Sequence, residues 1–234
     1  MKILVIIPAY NEAESITQVI TKLKQDMDRA DYIVVNDCSR DATLERLKGV
    51  DASYLNLPVN LGIGGGVQTG YKYALLNDYD IAVQIDGDGQ HDTKYLQKVI
   101  QPILDGEKDI VIGSRFLEKE GFQSSGLRRA GITFLSMLIR MCCGVKVYDV
   151  TSGFRAVNRE YIKLYAEDYP VDYPEPEAIV MAALNGAAIG EVPVIMRERE
   201  SGESSISAAR SVYYMIKVSL AVILCRFTHK KRKK

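Results

Sequence analysis

Tryptophan is absent from this 234-residue chain, and histidine occurs twice, at His91 and His229. Two histidines are too few for a histidine-based metal centre and leave little material for a Ser-His-Asp relay. The four cysteines, Cys38, Cys142, Cys143 and Cys225, show no C-x-x-C spacing. They read as small apolar side chains in a reducing compartment, not as zinc ligands or bridges. A long hydrophobic run is also missing. The most apolar stretch, from Ser211 to Cys225, is interrupted by Lys217 and falls short of the roughly 20 residues that a spanning helix requires. The first apolar run follows directly on Lys2, where a signal peptide would need room, so the chain is expected to stay in the cytosol. No internal repeat or low-complexity linker divides it.

What is present is a core-forming composition, 47% hydrophobic, enough for one compact domain. Acidic and basic residues balance at 30 each, but six of the basic ones, Arg226, Lys230, Lys231, Arg232, Lys233 and Lys234, fall at the end. The body is therefore acidic and its tail strongly basic. An acidic body argues against nucleic acid as a partner, while a basic cluster after an apolar segment suits anionic lipid headgroups.

Apolar, β-branched runs at 3–7, 32–35, 52–55, 81–85 and 110–112 alternate with segments of helical length, which predicts βαβ units and a mostly parallel sheet. Asn11 is expected to cap a helix from Glu12 to about Lys24, and Asp41 to lie in the first turn of the next. Gly62-Ile63-Gly64-Gly65-Gly66 precedes a third helix that runs to about Leu76. Beyond Asp88 the pattern loosens: helices are expected over 127–141 and 177–185, a turn and short strand over 149–157, and a last strand over 192–196.

Asp86-Gly87-Asp88 directly follows the run at 81–85. Two carboxylates at the carboxyl end of a buried strand lie where open α/β sheets collect their ligands, and they can grip a hard divalent ion on a diphosphate. A nucleotidyltransferase would carry its glycine-rich phosphate loop after the first strand, where this chain has Pro8-Ala9-Tyr10.

Taken in order, Ile7-Pro8-Ala9-Tyr10-Asn11-Glu12, Val35-Asn36-Asp37-Cys38-Ser39-Arg40-Asp41, Asn60-Leu61-Gly62 with Gly70, Asp86-Gly87-Asp88-Gly89-Gln90-His91, Gly113-Ser114-Arg115, Asp149 with Ser152-Gly153-Phe154-Arg155, and Arg199 with Gly202 and Ser204 resemble the inverting family 2 glycosyltransferases of GT-A fold. Among these the chain is similar to the dolichol-phosphate mannosyltransferase-like enzymes that glycosylate polyprenyl phosphates. The resemblance implies an α/β, Rossmann-like GT-A domain over residues 1–205, with a nucleotide-sugar half at 1–91 and an acceptor half at 92–205. It implies a UDP- or GDP-sugar donor site at Pro8, Ala9, Tyr10, Glu12, Asp37, Gly62, Asp86 and Gly87, and Mg²⁺ or Mn²⁺ held by Asp86, Asp88 and Gln90. Arg115, Arg129, Thr133, Arg199 and Ser204 match positions associated with the acceptor phosphate. Asp88, Arg115 and Glu177 are the residues expected to carry catalysis, and His91 is expected to be structural.

A phosphate acceptor is already anionic at neutral pH and needs cations, whereas a sugar hydroxyl needs a general base, for which Glu177 or Glu175 is available. Three functions stay open on this reading: transfer to polyprenyl phosphate, transfer to a saccharide hydroxyl, and a silent sugar-nucleotide-binding subunit. The chain departs from the family at Asn36, often Asp, at Cys38, often Gly, and at Ser205, often Lys. Residues 206–234 are expected to form an amphipathic helix and polybasic tail, with Val212, Ile216, Leu220, Ile223 and Phe227 on one stripe. That helix would lie on the cytoplasmic membrane face as a peripheral anchor, pack in the core, or dock on a small integral-membrane partner; a homo-oligomer is the remaining assembly.

Overall fold

The computed structural model of the chain describes residues 1–118, 126–197 and 208–228. Arg199, Ser204 and the basic tail from Lys230 lie outside these residues. A seven-stranded sheet in the order β3-β2-β1-β4-β6-β5-β7 forms the centre of the fold. Its strands are β1 (Ile3–Ala9), β2 (Asp31–Asn36), β3 (Tyr54–Asn56), β4 (Ile81–Gln84), β5 (Ile110–Ser114), β6 (Arg155–Asn158) and β7 (Ile189–Pro193). Only β6 runs against its neighbours, pairing antiparallel with β4 and β5.

Helices cover both faces, which is why the strands are near-continuous apolar runs and do not alternate. Along β1, Ile3, Val5 and Ile7 join one core cluster with Val19, Ile20 and Leu23 of α1 (Ile16–Asp26) and with Val99, Ile100 and Ile103 of α4 (Leu96–Leu104). Leu4 and Ile6 point the other way, to Val67, Tyr71 and Ala74 of α3 (Gly62–Leu76) and Tyr161 and Tyr165 of α6 (Arg159–Glu167). Full burial of each such Ile or Leu contributes about 1.5–3 kcal/mol. Between α1 and α3 lies the short α2 (Thr43–Gly49); α5 (Gly126–Cys143), α7 (Pro174–Leu184) and α8 (Ala208–Thr228) complete the second layer.

Asp41 lies just before α2 and the last strand falls at Ile189–Pro193, and three further expectations change more deeply. Asn11 does not cap α1: its φ is +58°, its Oδ1 accepts from the Arg40 backbone N–H, and the helix begins four residues later than expected, at Ile16. The glycine run lies inside α3 and is no loose loop. At Gly64 a Cβ would come within 2.0 Å of the Pro170 carbonyl oxygen, and at Gly70 within 2.2 Å of Ile6 Cγ2, so these two glycines let α3 press against a neighbouring loop and against β1. The third change is at the end of the chain, where α8 is no detached anchor. Val218 and Val222 are buried in the same cluster as α5 and α7. On the opposite face Val212, Ile216, Leu220 and Phe227 are exposed, while Ile223 is half-buried. Among the described residues no helix is long and apolar enough to cross a membrane.

Candidate active site

Sheet order reverses at β1, which is flanked by β2 on one side and β4 on the other, and the crevice outside the carboxyl ends of these strands is the place such sheets reserve for ligands. A cleft of about 340 Å³ opens there. Its wall is made by Pro8, Ala9 and Tyr10 at the end of β1, Asp37 after β2, Asn60, Gly62, Ile63 and Gly66 at the start of α3, Asp86, Gly87 and Asp88 after β4, and Glu175 at the start of α7, with Glu12 beside β1. All eight residues expected at the donor site therefore meet in one cavity. Ile63 and Gly66 are additions that the helical setting of α3 brings in.

Hydrogen bonds fix the two carboxylate positions that matter most. Asp37 is buried; its Oδ1 accepts from the Leu61 backbone N–H at 2.7 Å and its carbonyl accepts from Asn60 Nδ2 at 3.0 Å, so the second carboxylate oxygen is the one left for a ligand. Ser15 donates its hydroxyl to the Gly87 carbonyl at 2.8 Å, tying the first turn of α1 to the Asp86–Asp88 loop. His91 Nδ1 accepts from the Asp86 backbone N–H at 3.0 Å and its ring stacks on Phe154, so this imidazole braces the loop from behind.

Gln90 is not in the cleft wall. Its backbone N–H donates to Asp88 Oδ1 and its side-chain amide donates to the Arg197 carbonyl, which turns it toward the segment after β7 and out of the cleft wall. Among the described residues no group of three or more His, Cys, Asp or Glu side chains forms a closed metal cage. Two carboxylates suit Mg²⁺ or Mn²⁺ all the same, because hard ions of this kind are commonly held by one or two carboxylates with the rest of the shell coming from substrate phosphates and water.

The acceptor side is built differently. Arg115, expected to grip a phosphate, sends Nε to Asp149 Oδ2 at 2.7 Å and Nη2 to Asp149 Oδ1 at 2.6 Å, a bidentate pair between two buried side chains. Burial works against the Arg115 charge, yet the bonds to Asp149 outweigh it and hold the guanidinium above its ordinary pKa. That fork is committed to the scaffold. Asp149 is itself held through the Tyr148 and Asp149 backbone N–H groups, both donated to Glu191 at 2.8 Å. Arg129 is half-buried and, like Arg115, lies over the Phe116 ring. Thr133 donates its hydroxyl back to the Arg129 carbonyl at 2.9 Å.

On α7 the two acids part company. Glu175 lines the cleft; Glu177 does not, and its carboxyl is raised above the usual range by burial and by the Asp168 charge. Residues two apart on a helix face opposite ways, so only one of the pair can reach the cavity.

The family model for glycosyl transferase family 2 matches residues 4–165. The chain belongs to that family. It is 34% identical over 212 residues to the UDP-N-acetylglucosamine–dolichyl-phosphate N-acetylglucosaminyltransferase of Methanococcus voltae, covering 82% of this chain and 84% of that one. It is 29% identical over 221 residues to the undecaprenyl-phosphate mannosyltransferase of Micrococcus luteus, covering 88% of each. Among solved structures, glucosyl-3-phosphoglycerate synthase from Mycobacterium tuberculosis in complex with Mn²⁺, UDP and glucosyl-3-phosphoglycerate superposes with a TM-score of 0.72 at 23% identity, covering 96% of this chain and 79% of that one. The fold of this family 2 glycosyltransferase is GT-A, as its motifs imply.

Proposed function

We propose that this glycosyltransferase transfers a hexose or N-acetylhexosamine from a nucleotide diphosphate sugar to an undecaprenyl or dolichyl phosphate in one inverting, metal-dependent step at the cytoplasmic membrane face. The observation that carries the donor half is the meeting of Asp37, Asp86 and Asp88 in one cleft at the sheet's switch point. Asp37 offers an acceptor oxygen to the base or ribose, and Asp86 with Asp88 would hold Mg²⁺ or Mn²⁺. When bound, that ion neutralises the diphosphate as it leaves. The polyprenyl-phosphate acceptors named for the relatives from Methanococcus voltae and Micrococcus luteus support the acceptor half.

An oxygen of the acceptor phosphate attacks the anomeric carbon, the bond to the diphosphate breaks with its electron pair, and the configuration inverts. No proton has to be removed from a phosphate anion, so the acceptor side requires cations in place of a base. Arg129 at the start of α5 is a cation suited to that task, and Arg199 and Ser204 stay part of the proposal. The exposed stripe Val212, Ile216, Leu220 and Phe227 on α8 supports peripheral seating on an anionic membrane, and a small integral-membrane partner or a second copy would use the same stripe.

The test incubates the protein with undecaprenyl phosphate and labelled UDP-, GDP- and dTDP-sugars, with Mn²⁺ or with EDTA. Metal-dependent label in the organic phase from one donor is the expected result; equal transfer in EDTA would contradict it. A saccharide acceptor is the second reading, and the observation that favours it is the Glu175 carboxylate in the cleft, a base for a hydroxyl.

A further inference from the structure

Glu175 is the cleft residue whose role the donor motifs leave unassigned. It sits at the start of α7 between Pro174 and Pro176, just after Tyr173, whose φ of +51° makes the entry to the helix a tightly determined turn. The fully buried guanidinium of Arg155 fixes the Glu175 carbonyl from behind, Nη1 donating at 3.2 Å, while Nε and Nη2 donate to the Ser152 carbonyl. One turn on, Tyr165 donates its hydroxyl to the Ala178 carbonyl at 2.9 Å, and Tyr165 packs with Tyr71 and Tyr169 at ring separations of 5.3 and 5.1 Å. These contacts set the rotational position of α7 and place Glu175 against the cavity. Burial raises its carboxyl pKa and the Arg155 charge works against that rise, and among the described residues no side chain or backbone group of another residue donates a hydrogen bond to it. A half-buried carboxylate lining a cavity calls for donors from the ligand.

The chemistry of the ligand decides which part supplies them. A diphosphate carries no hydroxyl donor and repels a carboxylate, so it belongs at Asp86 and Asp88 with the ion. A hexose carries several hydroxyls, and one carboxylate accepts from two of them at once. Resting on the donor reading proposed above, we infer that Glu175 is the residue that reads the donor sugar, accepting hydrogen bonds from its hydroxyls, with Arg155 as the positioning residue that aims it. Sugar specificity would then reside at the α7 end of the cleft and base recognition at the Asp37 end.

Calorimetric titration of the full chain with Mn²⁺ separates the possibilities, using UDP, UDP-glucose, UDP-N-acetylglucosamine, GDP and GDP-mannose as probes on wild type, Glu175→Gln and Glu175→Ala. The expected result for Glu175→Ala is a loss of about 10-fold or more in affinity for the preferred nucleotide sugar, with the matching nucleotide diphosphate within about twofold of wild type. Glu175→Gln, which keeps shape and half the acceptor capacity, should fall between. Unaltered nucleotide affinity also reports that each variant is folded. Equal losses for sugar-bearing and sugar-free ligands, or unchanged binding with a fall in turnover alone, would overturn the sugar contact and leave the donor site standing. If wild type binds none of the five, the donor reading itself fails, and the inference with it.

Discussion

The donor and acceptor sides of the cleft share one sheet but use charge in opposite ways. On the donor side Asp37, Asp86 and Asp88 all line the cavity, Asp37 held by the Leu61 backbone N–H and Asp88 by that of Gln90. Across from them, Arg115 and Asp149 satisfy each other, and Arg155 donates to main-chain carbonyls from a fully buried position. Charge on the donor side lines the cavity, while the Arg115–Asp149 pair and Arg155 hold the antiparallel β6 and the turn before it in place.

That contrast can be broken most severely at Asp88. Asp88→Ala should lower initial transfer rates by a factor of about 10² to 10³ or more while thermal unfolding stays near wild type, since the lost group acts on the transition state. The two arginines make the complementary pair. Arg115→Ala strands the buried Asp149 and should cost about 3–5 kcal/mol, read as a fall in Tm of at least about 6 °C. Arg129→Ala breaks no buried pair and should leave Tm almost unchanged while raising the KM for lipid phosphate. If the Arg115 variant kept its Tm and lost only acceptor affinity, the assignment of that guanidinium to the scaffold would be wrong.

Glu177 gives a smaller, pH-dependent effect. Its folded pKa is raised by burial and then by Asp168, so the folded state binds its proton more readily than the unfolded chain. The stability this lends is complete below the unfolded value of about 4.5 and is lost as pH rises through the folded pKa. Glu177→Gln removes that loss, so the Tm of the variant minus that of wild type should grow from pH 4.5 to 7, with turnover little affected. A difference that shrinks over this range would reverse the sign argued here. The smallest effect is expected at Cys38, which occupies a left-handed conformation at φ +58°. Cys38→Gly should raise stability by up to about 1 kcal/mol in denaturant unfolding, relief of strain being partly offset by the flexibility of glycine in the unfolded chain.

The same contrast governs how much could be read before the structure. Strands β1, β2, β4 and β5 are announced by their β-branched runs, and the donor residues lie within a few positions of the strand ends, so local sequence places them. Cys38 fits this pattern too: glycine is common there because the backbone needs a positive φ. Arg115 and Asp149 are 34 residues apart, and no spacing rule reveals that one satisfies the other. Choosing between Glu175 and Glu177 needs the rotational setting of α7, which Arg155 and Tyr165 fix from distant segments. Helices α4 and α6 are masked by their boundaries. Leu96, Val99, Ile100 and Ile103 keep helical spacing, but Pro102 reads as a stop, and Asn158 caps α6 directly after β6 with no loop to mark the change.

The proposed acceptor is a phosphate, held by cations and needing no base. The most direct test compares label transfer to undecaprenyl phosphate and to undecaprenol, the matching alcohol, under identical donor and Mn²⁺ conditions. Transfer to the phosphate and none to the alcohol is the predicted result; transfer to the alcohol at a comparable rate would contradict the account.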